Sequence, residues 1–211
     1  MRIDWVPASA ALLVTGAMSL AFAQLLAAGD SDLRTALSIV EREDGRWLAA
    51  SALDFLAAVA LTMGVPAVLS LFRDRGRYTS VAAACLLVVG FVGLAGYSML
   101  LVFFRALVRS DAVRGRALDD VLDDPGLQAF LIVWVAAFLI GELLLLIALV
   151  QAGPAAAPAW VPVALGAHLF LQSLLVVLPE TVARSSALLL TAALCGLAIR
   201  AARPEPAHGT G

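Results

Sequence analysis

The chain has 211 residues, 62% of them hydrophobic and only 14% charged, with a mean hydropathy of +0.97. That is too apolar for a soluble domain of this size and points to a polytopic membrane protein. A net charge of -2, from 14 arginines, no lysine and 16 acids, excludes the basic field that a nucleic-acid partner needs, so the lipid bilayer is the first partner to consider.

Apolar runs of about 20 residues suffice to span a bilayer core. Six are marked in chain order, at 6 to 28, 47 to 71, 79 to 104, 128 to 151, 160 to 179 and 183 to 200. The expected fold is all-α, a single bundle of six transmembrane helices over residues 1–203, with both termini on one side and a disordered tail over 204–211. In the first run, Ala21-Phe22-Ala23 has the small-x-small form of a signal-peptide cleavage site. Arg2 is offset by Asp4, however, and the run has full spanning length, so it reads as the first membrane helix. In the second run Pro66, following Gly64, is the candidate helix break.

The punctuation between runs is Gly29-Asp30, "FRDRGRY" at 72–78, Pro125-Gly126, Gly153-Pro154 and Pro179-Glu180. The first connection (29 to 46) and the third (105 to 127) are long and mixed in charge. Apolar residues at helical spacing in 31 to 43 (Leu33, Leu37, Val40) and 110 to 122 (Val113, Leu118, Val121, Leu122) predict helices lying in the interface. With the N-terminus inside, six arginines fall on the cytoplasmic side and eight outside. The count opposes that orientation, but three arginines within the five residues 73–77 give the denser signal in a short loop, which is what the positive-inside rule weighs. The orientation adopted is N-in, in a bacterial inner membrane. Cys85 and Cys195 lie inside apolar runs without metal or redox spacing and read as packing residues.

An ionisable side chain near the bilayer centre costs about 2.5 to 3.5 kcal/mol on insertion scales, so each one implies a partner or a task. Asp54 in the second run, Glu142 in the fourth and His168 in the fifth stand out, accompanied by Gln24, Tyr97 and Gln172. Together they are expected to line one cavity, where Glu142 and His168 exchange a proton. The competing reading for each residue is an interhelical hydrogen bond that fixes packing. Phe130, Trp134, Phe138 and Glu142 follow one another at four-residue steps, forming an aromatic stripe that leads to the carboxyl group. Aromatic faces stabilise cations and an acid creates them, although such stripes also face lipid or a neighbouring helix.

The third connection contains "LDDVLDD", in which Asp119, Asp120 and Asp123 fit a DDxxD pattern behind Arg105, Arg109, Arg114 and Arg116. Carboxylates one turn apart can share a Mg²⁺ that bridges a diphosphate, and a solvated mixed-charge loop is the alternative. "EDGRW" at 43–47 lacks the remaining residues of the phospholipid-forming alcohol phosphotransferases, and no GxSxG, HExxH or P-loop occurs. Trp47 and Trp160, at run starts, read as interfacial belts.

A long first connection, a short arginine-bearing second one and "APAWVPVALGA" at 157–167 resemble six-helix membrane proteins common in high-GC bacteria. In size, helix count and intramembrane acids the chain is also similar to the small integral-membrane terpene cyclases, though it matches no motif of theirs residue by residue. That second resemblance implies protonation of a prenyl olefin or epoxide by a carboxyl group. The resulting expectation is a membrane enzyme performing acid-base chemistry on a lipophilic isoprenoid. Asp54, Glu142 and His168 are its catalytic candidates, and Tyr97, Phe130, Trp134, Phe138 and Gln172 would contact substrate. No cofactor is required, and the oligomeric state is left open. The alternative is a proton-coupled carrier or an accessory subunit.

Overall fold

The computed structural model describes residues 5–26, 44–110, 121, 123–174 and 185–203. These residues form six α-helices and one short 3-10 turn, with no strand among them. The helices are α1 (Trp5–Leu26), α2 (Asp44–Leu69), α3 (Arg77–Arg109), α4 (Pro125–Ala152), α5 (Trp160–Ser173) and α6 (Ala187–Ala202), with the 3-10 turn at Gly153–Ala155. The first four are long and apolar enough to cross a membrane. Within the described residues α5 and α6 are shorter, 14 and 16 residues. At 1.5 Å per residue these reach about 21 and 24 Å, less than the roughly 30 Å hydrocarbon core.

Each helix packs against the next, and α6 returns to α1, closing a ring with an additional α2–α6 contact. Neighbours run antiparallel. On the first pair, Ser9 meets Met63 and Arg46 Nε donates to Leu26 O at 2.6 Å. On the second, Trp47 Nε1 donates to Leu101 O at 3.2 Å. On the third, Thr79 bonds Gln151.

The core is small-residue packing. Ala10, Leu13, Ala17, Ala57, Leu61 and Ala67 are fully buried, while Phe55, Met63, Val92, Phe103, Val133 and Val150 face outward. Large apolar side chains outside and small ones inside invert the soluble pattern and suit helices surrounded by lipid, where close backbone approach supplies the association energy.

Local chemistry explains the helix ends. Asp124 caps α4, its Oδ1 accepting from Leu127 N at 2.8 Å with Pro125 next in the chain, and Gly153 ends the helix at φ +66°. Gly76 turns the second connection at φ +77°, and a Cβ there would lie 2.7 Å from Ala148 O, so only glycine fits.

Pro66 does not break α2, which continues to Leu69. Proline leaves the local ladder open. Ser9 of α1 fills the opening: its Oγ donates to Met63 O at 2.8 Å and accepts from Ala67 N at 3.1 Å. One hydroxyl thus bridges a donor and an acceptor that water cannot reach in lipid. Replacing Ser9 by alanine is expected to cost about 1 to 2 kcal/mol, read as a lower Tm of purified protein in detergent. Thr15→Ala, which removes only a bond to Ala11 O in its own helix, should leave Tm unchanged, and equal losses would contradict the bridge.

Arg105 and Arg109, expected in the third connection, belong to the last turns of α3. Both interfacial helices expected at 31 to 43 and 110 to 122 lie outside the described residues except Ser110 and Val121, and the tail at 204–211 lies wholly outside them.

Candidate functional site

Glu142 sits in the interior of α4 behind Gly141, which lets the helix approach α3 closely: a Cβ at Gly141 would lie 2.9 Å from Leu87 N. The glutamate is 1% exposed and faces α5, where His168 is 2% exposed. His168 Nδ1 and Glu142 Oε1 are 2.7 Å apart, the length of a charge-assisted bond. The other ring nitrogen, Nε2, is 3.2 Å from Gln172 Nε2, one turn further along α5, and the same amide donates to Ser186 Oγ at 3.3 Å. A polar chain therefore runs from α4 across α5 to the start of α6.

The distances along this polar chain fit two arrangements of its protons. With both amide hydrogens of Gln172 donated, His168 Nε2 accepts and the ring proton lies on Nδ1, pointing at the Glu142 carboxylate. Rotating the amide by 180° turns its oxygen to Nε2, so the ring proton moves there and Nδ1 accepts from a protonated Glu142. The second arrangement holds one proton more than the first.

Beside this chain lies a cavity of about 250 Å³. Its wall comes from every helix except α2: Leu20 and Gln24 of α1, Gly90, Phe91 and Leu94 of α3, Trp134, Val135, Phe138 and Leu139 of α4, His168 and Gln172 of α5, and Ala187 and Leu190 of α6. The lining is aromatic and aliphatic with three polar side chains, the composition typical of small-molecule sites, at a volume just below their usual range. Phe91 and Phe138 meet in a tilted arrangement, with centroids 6.0 Å apart at 57°.

The sequence-predicted residues divide accordingly. His168, Gln172, Trp134 and Phe138 line the cavity, with Glu142 directly behind His168. Phe130 is 55% exposed and points away. Tyr97 stands outside the wall with its ring 5.8 Å from that of Trp134, and its hydroxyl lies within electrostatic reach of Asp54. Asp54 is buried, but it lies on α2, the one helix that contributes no residue to the wall. Asp54 Oδ1, Trp134 Nε1 and Glu142 Oε2 have no hydrogen-bond partner among the described residues.

Asp119 and Asp120 lie outside the described residues, and Asp123 is exposed at the start of α4. Among the described residues no three potential ligands cluster to hold a metal ion. Cys85 is exposed and Cys195 half-buried, both as free thiols.

Sequence reasoning missed Gly90, Gly93 and Ser186. Where Gly90 and Gly93 lack a Cβ, the side chains of Phe138 and Trp134 occupy the space, so these two glycines set the aromatic rings at the cavity. The signal was present as Gly90, Gly93 and Gly96 at three-residue spacing on one helix.

No protein-family model, no curated protein and no solved structure matches the chain.

Proposed function

We propose that the protein is an integral-membrane enzyme of the bacterial inner membrane, with six membrane-crossing helices, that carries out proton transfer on a lipophilic isoprenoid-type molecule. The observation that carries this reading is the Glu142–His168 pair, joined at 2.7 Å at the wall of an aromatic cavity. An acid-base pair is rarely placed where water is scarce unless the group it serves is itself apolar. Closure of the helix ring supports six spans.

In this reading His168, the pair member on the wall, hands a proton to an epoxide oxygen or olefinic carbon. The new bond to hydrogen forms as the C–O or π bond breaks, and a neighbouring double bond supplies electrons to the cationic carbon. The faces of Trp134, Phe138 and Phe91 shield that cation. Loss of a proton from an adjacent carbon to the Glu142–His168 pair closes the cycle with no net consumption of acid. Glu142 acts through His168 as a positioning residue, and Asp54, which does not line the cavity, is given no role in the transfer.

The test is metabolite profiling of a host expressing the protein and supplied with prenylated precursors. Wild type is expected to yield a cyclised product that falls at least about 100-fold with His168→Gln and Glu142→Gln. Asp54→Asn should lower it less than about tenfold. Identical profiles from folded wild type and variants would remove the enzymatic reading.

A proton-coupled carrier is the second reading, favoured by continuation of the polar chain from His168 through Gln172 to Ser186. Proton uptake into vesicles containing wild type but not Glu142→Gln protein, with no cyclised product, would select it.

A further inference from the structure

At the end of the bundle where α1 begins and α2, α4 and α6 end, the helices leave an open cavity of about 790 Å³. Four arginines line it with one aspartate: Arg73, Asp74 and Arg75 from the turn between α2 and α3, and Arg200 and Arg203 from the end of α6. We infer that this cavity binds the phosphate group of an anionic ligand, at a site separate from the Glu142–His168 pair.

Convergence is the first reason. Arginines that merely anchor a helix end in the headgroup layer have no need to share a concavity, and Arg77, two residues further on, does not line it. These four arrive from two segments more than 120 residues apart in sequence and face one space. An anion seated in this space meets four positive side chains and one negative one along its wall.

Geometry is the second reason. Arg200 Nη2 donates to Ala155 O at 3.0 Å, which fixes its guanidinium at the rim and leaves its remaining N–H groups for another acceptor. A planar guanidinium held this way offers the paired donors that match phosphate oxygens. The volume lies within the usual range for ligand pockets and exceeds what a bare phosphate fills. Val6, Pro7 and Leu71 make part of the wall apolar, which suits an anion carried on a larger, partly apolar molecule.

Two sources supply such chemistry: the headgroup of an anionic phospholipid, and a free phosphate or diphosphate compound. Purified full-length protein would be examined in two arms. In the first, native mass spectrometry follows retention of phosphatidylglycerol against phosphatidylcholine from an equimolar mixture. In the second, calorimetry follows inorganic pyrophosphate added to delipidated protein in detergent. Selective binding is expected in at least one arm. There it should fall about tenfold or more in the Arg75→Gln/Arg203→Gln double variant, which removes two charge-assisted contacts to the anion, and stay unchanged in Arg77→Gln.

Selectivity confined to the first arm assigns a lipid headgroup, and binding confined to the second assigns a free phosphate compound. Absence of both, or an equal loss in Arg77→Gln, overturns the site. Should the double variant fail to fold, Arg75→Gln alone provides the same comparison, with a loss of about threefold or more expected.

Discussion

Valine in place of Gly64 should leave the protein unable to survive extraction as a monodisperse species. A Cβ at this position would stand 2.8 Å from Leu13 Cα and 2.9 Å from Leu13 N, and backbone of a packed helix has no rotamer by which to yield. The contact is reciprocal, because a Cβ at Gly16 would come within 2.7 Å of Leu61 N. Two glycines thus set the spacing of α1 and α2, and lipid supplies no hydrophobic force to hold the helices together once van der Waals contact is lost. The expected cost is about 3 kcal/mol or more. Gly96→Ala, on α3 with nothing within 4 Å of its added methyl, should change stability by less than about 1 kcal/mol. Size-exclusion profiles and Tm in detergent distinguish the two, and wild-type behaviour of Gly64→Val would show that α1 and α2 do not pack in this register.

The second large effect concerns the buried pair. In His168→Leu, Glu142 Oε1 loses its partner, joining Oε2, which has none among the described residues. Removing one member of a buried pair costs about 3 to 5 kcal/mol, because the other stays desolvated and unsatisfied. Replacing both by leucine removes the orphan as well as the bond. The double variant should therefore recover most of the loss, with a coupling energy of about 2 kcal/mol or more in the cycle. Unfolding by SDS in mixed micelles measures all four proteins, and additive single losses would mean that the two side chains act independently. Stability recovered without recovery of product formation would separate the pair's chemistry from its contribution to the fold.

Helices α1 to α4 were readable because polar punctuation interrupts long apolar runs: the run expected at 47 to 71 appears as Asp44–Leu69, and that at 128 to 151 as Pro125–Ala152. Glu142 and His168 stood out for the same reason, since a polar group inside such a run needs a partner and each is the other's. Asp54 met the same criterion, but its distance from the cavity depends on how α2 is rotated about its axis. That rotation is set by contacts such as Ser9 with Met63 and Gly64 with Leu13, which join residues more than 50 positions apart and leave no periodic trace. The four-residue spacing of the aromatic stripe likewise could not show that its slow drift around α4 carries Phe130 outward while Trp134 and Phe138 stay at the cavity.

The return of α6 to α1 has a bearing on biosynthesis. Thr191 Oγ1 reaches Ala17 O at 3.1 Å, a contact spanning 174 positions, and Ala187 and Leu190 supply the final side of the cavity. In synthesis from the N-terminus, α1 to α5 are made before that side exists, so the face of α1 around Ala17 waits for almost the whole of translation. Until the last helix arrives, the cavity beside His168 lacks one of its walls. A nascent or truncated chain therefore has an incomplete cavity wall, and any binding that depends on Ala187 and Leu190 begins only when α6 is in place.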